Sequence, residues 1–84
     1  MTVYVDPIIR CRPTPDWPFY GLCRMTADGE MELHEMARRL YVPRDRYHPG
    51  RIPYYEITPG IRNRAVAMGA MDLKVSAWFR RKSA

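Results

Sequence analysis

Between Pro53 and Ala70 the chain spells out a strand-to-helix passage stop by stop, and no other stretch constrains the fold as tightly. Tyr54-Tyr55-Glu56-Ile57-Thr58 is rich in aromatic and β-branched residues, which fit a pleated surface. Thr58 stands where a side chain can cap a helix, and Pro59 where the first helical residue needs no N–H. Gly69 is placed to end that helix, since glycine takes the left-handed conformation that closes a last turn. Beyond it, Met71, Leu73, Val75, Ala77 and Phe79 alternate with Asp72, Lys74, Ser76 and Trp78, which predicts a strand over 71–79.

The first half repeats the pattern with weaker punctuation. Thr2-Val3-Tyr4-Val5 reads as a short strand that stops at Asp6-Pro7. Residues 7–20 hold Pro7, Pro13, Pro15 and Pro18 around Trp17 and read as a loop with few backbone donors. Pro15-Asp16-Trp17-Pro18 fits a ligand for a polyproline-reading domain, but a connector with Trp17 and Phe19 tucked onto the core is the plainer reading. A second strand runs from Tyr20 to Ala27. Asp28 reads as the cap of a first helix, with Glu30 and Glu32 in its first turn and Arg38 and Arg39 near its end, as the helix dipole favours. Leu33, Met36, Ala37, Leu40 and Tyr41 recur at helical spacing and predict the buried stripe. Val42-Pro43 stops that helix, and Arg44 to Pro53 is a basic connection with a helical turn near Pro43–Tyr47.

The order is therefore β-β-α-β-α-β: a small α/β domain, bordering on α+β, over residues 1–84. Two strand–helix–strand units in succession predict right-handed crossovers and a mostly parallel sheet. Both helices are expected on one face, with the other left for a partner chain. Eighty-four residues lie near the lower limit for one apolar core, and the core material is six Met and six Tyr against two Phe. Self-association would help such a chain bury enough surface, so a homo-oligomer is one expectation.

Charge and cysteine usage narrow the class further. The net charge is +5, and residues 57–84 carry all of the excess: Arg62, Arg64, Lys74, Arg80, Arg81 and Lys82 against Asp72 alone. Residues 80–84 read as a basic tail. Twelve of the fourteen basic residues are Arg, whose planar fork suits phosphate and carboxylate; a genome that favours Arg codons explains the same count. Cys11 and Cys23 are the only cysteines, and the chain shows no secretion signal and no transmembrane run, so reduced thiols in the cytoplasm are expected. No metal-ligand spacing and no cofactor fingerprint is present.

Three groups of residues are candidates for chemistry. In parallel α/β sheets ligands gather where strands end and helices begin. Thr58, Gly60, Arg62 and Asn63 collect at such a start, with backbone N–H groups and a guanidinium for an anion; good helix capping alone accounts for the first two. Arg24, mid-strand, either pairs with Glu56 or points to the same ligand, and Tyr55 and His34 supply walls. A second group, Arg44, Arg46, Tyr47 and Arg51 with Arg80 and Arg81, could track a nucleic-acid backbone, although Asp45 interrupts it and a solvated charged face reads the same. Asp6, His34 and Glu56 are the acid–base groups a catalyst would use, if the fold assembles them. The absence of any nucleophile elbow, phosphate loop or paired metal-ligand helix favours binding over catalysis.

Several of these motifs resemble a family of small phage and bacterial proteins, the domain of unknown function 4031. The resemblance rests on Val3-Tyr4-Val5-Asp6, the passage Cys23 to Asp28, Glu32-Leu33-His34 with Ala37, Tyr55-Glu56-Ile57, and Arg62 with Ala65-Val66-Ala67-Met68-Gly69-Ala70. It covers most of the chain except residues 7–20. The family pattern implies His where this chain has Arg24, His at Tyr54, Asp at Glu56 and Lys at Ile61. Those departures imply a lost activity if the histidines catalyse, and a retained positive charge if the site binds an anion. The resemblance implies no established activity. The expectation is a small cytoplasmic, phage-encoded protein that binds a phosphate-bearing or other anionic ligand; nucleic-acid binding is the alternative and a hydrolase-like activity the third.

Overall fold

The longest strand, Gly21–Ala27, is the axis of the molecule. The computed structural model describes residues 2–74. Its elements are β1 (Val3–Val5), β2 (Ile9–Arg10), β3 (Gly21–Ala27), α1 (Glu30–Arg39), a 3-10 turn over Arg44–Arg46, β4 (Tyr47–His48), β5 (Tyr54–Ile57), α2 (Pro59–Ala67) and β6 (Met71–Asp72). The sheet order is β4-β5-β3-β1-β6, with β2 paired to β3.

The α/β class and the element order match the sequence reading, with two short strands added. The mostly parallel sheet does not. Among the described residues only β1 and β6 pair in parallel; β1–β3, β3–β5, β4–β5 and β2–β3 are antiparallel. The cause is β4. The chain leaves β3, crosses through α1 and returns on β4, which runs the same way as β3. A hairpin then reverses it into β5, between the two. The second crossover, through α2, joins β5 to β6 past β3 and β1. Both units connect parallel strands, but the strands are not neighbours.

Register sorts the side chains. Val3 and Val5, Cys23 and Met25, and Tyr55 and Ile57 share one face. Leu33, Met36 and Ala37 from the first helix, Leu40 at its C-terminal cap and Ala65 from the second helix join them in one core, so both helices lie on that face. The opposite face carries Tyr4, Arg24, Thr26, Tyr54 and Glu56.

Helix ends show where local signals hold. Thr58 caps α2 by accepting from the Ile61 N–H at 3.2 Å, Pro59 is its first residue, and Gly69 follows it at φ 105°. The α1 cap is Gly29, in extended backbone, and not Asp28. The Asp28 carboxylate instead accepts from the Thr2 N–H at 3.1 Å and the Tyr4 hydroxyl at 2.8 Å, tying β1 to the end of β3. Tyr41, expected in the buried stripe, lies beyond the helix and is 85% exposed. In the proline-rich segment Trp17 is half-buried, donating from Nε1 to the Gly21 carbonyl at 3.0 Å. The expected strand over 71–79 is seen as Met71–Asp72; residues 75–79 of it, and the basic tail, lie outside the described residues. No described helix is long and apolar enough to cross a membrane.

Candidate anion-binding site

His34 sits on α1 at the border of the apolar stripe, one helix position after Leu33, which the core buries. From there its ring reaches β5: Nδ1 lies 2.7 Å from the Tyr55 hydroxyl. With neutral His34 in its Nε2–H tautomer the tyrosine donates to Nδ1; with Nδ1 protonated the direction reverses, and the bond persists. Burial pushes the Tyr55 hydroxyl above its ordinary pKa, partly offset by the nearby Arg44 guanidinium, so at neutral pH it stays protonated. Tyr47 meets the His34 ring edge-on at 4.6 Å between centroids. Its own hydroxyl donates to Glu30 Oε1 at 2.5 Å, and that bond raises the Tyr47 pKa. Two tyrosines therefore hold the imidazole, and among the described residues its Nε2 makes no hydrogen bond.

This histidine lines a cleft of about 400 Å³. The first helix contributes Met31, His34, Glu35, Ala37 and Arg38, the segment after it Val42 and Arg44, and β5 contributes Tyr55. The two arginines differ. Arg38 is paired with Glu35 at 2.6 Å, which holds that carboxyl below its ordinary pKa. Arg44 lies 5.7 Å from the centroid of the Tyr47 ring and has no carboxylate partner among the described residues. The cleft thus offers one guanidinium without an acid, one histidine nitrogen, and walls that are mostly apolar.

The start of α2 is less open than its sequence suggests. Of its first backbone donors, Pro59 has none, Ile61 is capped by Thr58, and Arg62 already donates to the Thr58 carbonyl at 2.9 Å. Gly60, exposed, keeps the one spare N–H of that turn. Arg62 does not face solvent: it is 8% exposed, donates from Nε to the Asp6 carbonyl at 2.7 Å, and pairs through Nη2 with Asp72. Asn63 is exposed on the next position.

A family model described as "Protein of unknown function (DUF4031)" matches residues 3–84. The chain belongs to that family. Comparison with curated proteins and with solved structures returns no match.

In this DUF4031 chain the positions where the resemblance implies histidine or aspartate fall together on the second face of the sheet. Arg24 stands across from Glu56 and 5.4 Å from the Tyr54 ring centroid; Tyr54 stacks on His48 at 4.8 Å, and His48 pairs with Glu56. Arg24 and Glu56 are thus neighbours, as their strands' separate readings allowed. The acid–base set is not assembled. Tyr55 faces α1, so Glu56, next along the strand, faces away from His34. Asp6 is buried past the end of β1, where its carbonyl also accepts from the Cys23 thiol at 3.0 Å. Burial pushes that thiol up to about 11.

The basic loop is divided too. Arg46 stacks over Trp17 at 4.7 Å and donates to the Asp16 carbonyl at 3.1 Å, while Arg51 is exposed. Arg80 and Arg81 lie outside the described residues. What sequence reasoning missed is the union of His34, Tyr55 and Arg44. His34 and Tyr55 were read as walls of the α2-start site and Arg44 as part of a nucleic-acid surface, because a contact between residues 21 apart leaves no local spacing.

Proposed function

We propose that this DUF4031 protein binds a small anionic molecule, phosphate-bearing by preference, in the cleft between α1 and β5. One observation carries the reading: a guanidinium with no acid partner among the described residues, beside a histidine whose orientation two tyrosines fix. Arg44 supplies a fork for phosphate or carboxylate, and His34 Nε2 a directional hydrogen bond. Tyr55 keeps the imidazole in place from beneath. Paired Arg38 adds positive potential at the rim, discounted by Glu35.

Binding is the reading in preference to catalysis because Asp6, His34 and Glu56 stand in three places. The α2 start, with one spare N–H and an engaged Arg62, supports an anion less well.

Calorimetric titration with phosphate monoesters and small carboxylates tests this, using wild type, Arg44→Gln and His34→Gln. Saturable binding that Arg44→Gln removes, with thermal unfolding unchanged, is the expected result. Binding indifferent to both substitutions would sink the cleft. A ligand preference for single-stranded DNA, with affinity falling steeply in salt, would favour the nucleic-acid reading of Arg44 instead.

A further inference from the structure

The two helices end in the same hydrogen-bonded closure but on different residues. After α2, Gly69 donates to the Val66 carbonyl at 3.0 Å and Ala70 to that of Ala65 at 2.9 Å. After α1, Tyr41 donates to the Arg38 carbonyl at 3.2 Å and Val42 to that of Ala37 at 2.9 Å. Such a closure requires left-handed backbone at the first residue past the cap, which is why glycine dominates there. Gly69 obeys at φ 105°. Tyr41 stands at φ 58°, the only non-glycine residue with positive φ among those described.

A Cβ in this conformation crowds its own backbone. No packing offsets that at Tyr41, which is 85% exposed and makes no ring contact or side-chain hydrogen bond among the described residues. Backbone strain at an exposed aromatic residue is an observation to be explained by what the residue touches in use. Its neighbours say where that use lies. Arg38, to which its N–H is tied, and Val42, which follows it, both line the His34 cleft. At the other end of that cleft stands Met31, 86% exposed.

We infer that Tyr41 is a specificity-determining residue of the cleft and that the ligand is a phosphate monoester carrying an aromatic ring. The inference rests on the anion-binding reading above: phosphate at Arg44 and His34, ring against Tyr41. Aromatic faces accept any planar ring, so Tyr41 selects for the presence of a ring and not for its substituents. The apolar walls, Ala37 and Val42, suit the same moiety.

The test is a minimal ligand pair, phenyl phosphate and methyl phosphate, titrated by two-dimensional NMR into wild type, Tyr41→Gly and Tyr41→Phe. Wild type is expected to hold phenyl phosphate about tenfold more tightly than methyl phosphate, the scale of one ring stack. Tyr41→Gly removes that preference, leaves methyl phosphate affinity unchanged, and raises the melting temperature by about 4 °C as the strain is relieved. Tyr41→Phe keeps the preference. A preference that survives in Tyr41→Gly overturns the inference, and so does a fall in melting temperature, which would make Tyr41 a packing residue. If wild type binds neither ester, the cleft reading itself fails and this one with it. The two failures are therefore distinct.

Discussion

Arg62 Nε donates to the main-chain carbonyl of Asp6 at 2.7 Å, joining α2 to the end of β1 across fifty-six positions of sequence. The same guanidinium pairs with Asp72, the last residue of β6, so one side chain fastens the ends of two adjacent strands. An arginine at a helix start invites a ligand reading. This one is buried and engaged, and its work is structural.

Arg62→Ala is therefore expected to destabilise the fold by about 1–3 kcal/mol, since the buried Asp6 carbonyl loses its charged donor and keeps only the weak Cys23 thiol. Arg62→Lys recovers only part of this, because an ammonium cannot reproduce the planar fork. Urea denaturation checks both. A stability change below about 0.5 kcal/mol for Arg62→Ala, the range of ordinary surface substitutions, would return Arg62 to the list of ligand contacts.

His34 and Tyr55 should be energetically coupled. In a double-mutant cycle with His34→Ala and Tyr55→Phe, the expected coupling is about 1 kcal/mol, the net contribution of one ordinary hydrogen bond. Additive effects would show that the 2.7 Å contact contributes nothing to stability.

Which of these features the sequence disclosed depended on distance along the chain. Thr58, Pro59 and Gly69 are local signals: each acts on backbone within four residues, and all three stand as read. Tyr47–His48 is a strand too short for any period to register, yet it fixes the direction of every later strand, and missing it turned a mostly antiparallel sheet into a mostly parallel one. Asp28 has the chemistry of a helix cap, but Thr2 and Tyr4 compete for its carboxylate from across the sheet. Tyr41 fits the helical spacing of the stripe, but the helix has ended before it. His34 and Tyr55 were legible as walls of one site and not as a hydrogen-bonded pair, because only the fold brings the two side chains together.

Cys23 and Cys11 should differ in reactivity. Burial raises the Cys23 thiol to about 11, while Cys11 is half-buried near the surface. At pH 8 a thiol reagent should titrate Cys11 in the native protein and both residues only in denaturant. The same shift predicts a stability change with a definite sign. A pKa above the unfolded value of 9.0 favours the native state while the thiol is protonated in both states. That contribution is full below about pH 9 and is lost as pH rises through about 11. Cys23→Ala should flatten this alkaline fall.

Gly21 is expected to tolerate no side chain. A Cβ there would lie 2.6 Å from Pro59 Cγ and 3.3 Å from a methyl of Ile8, so the start of β3 meets the first residue of α2 in close contact. Gly21→Ala should cost about 1–3 kcal/mol by overpacking. Gly60→Ala, with open space around it, should leave stability within about 0.5 kcal/mol, and thermal melts of the two variants compare them directly.

The parallel pairing of β1 with β6, extended by the Leu73 N–H to the Val5 carbonyl at 3.0 Å, bears on how the chain can fold while it is being made. The strand on the outer side of β1 is translated some seventy residues after β1 itself. Until then an edge of the sheet has no partner, and unpaired strand edges are where nascent chains aggregate. Completion of the sheet thus waits on a long-range pairing, whose loop closure must be met before the contacts repay it.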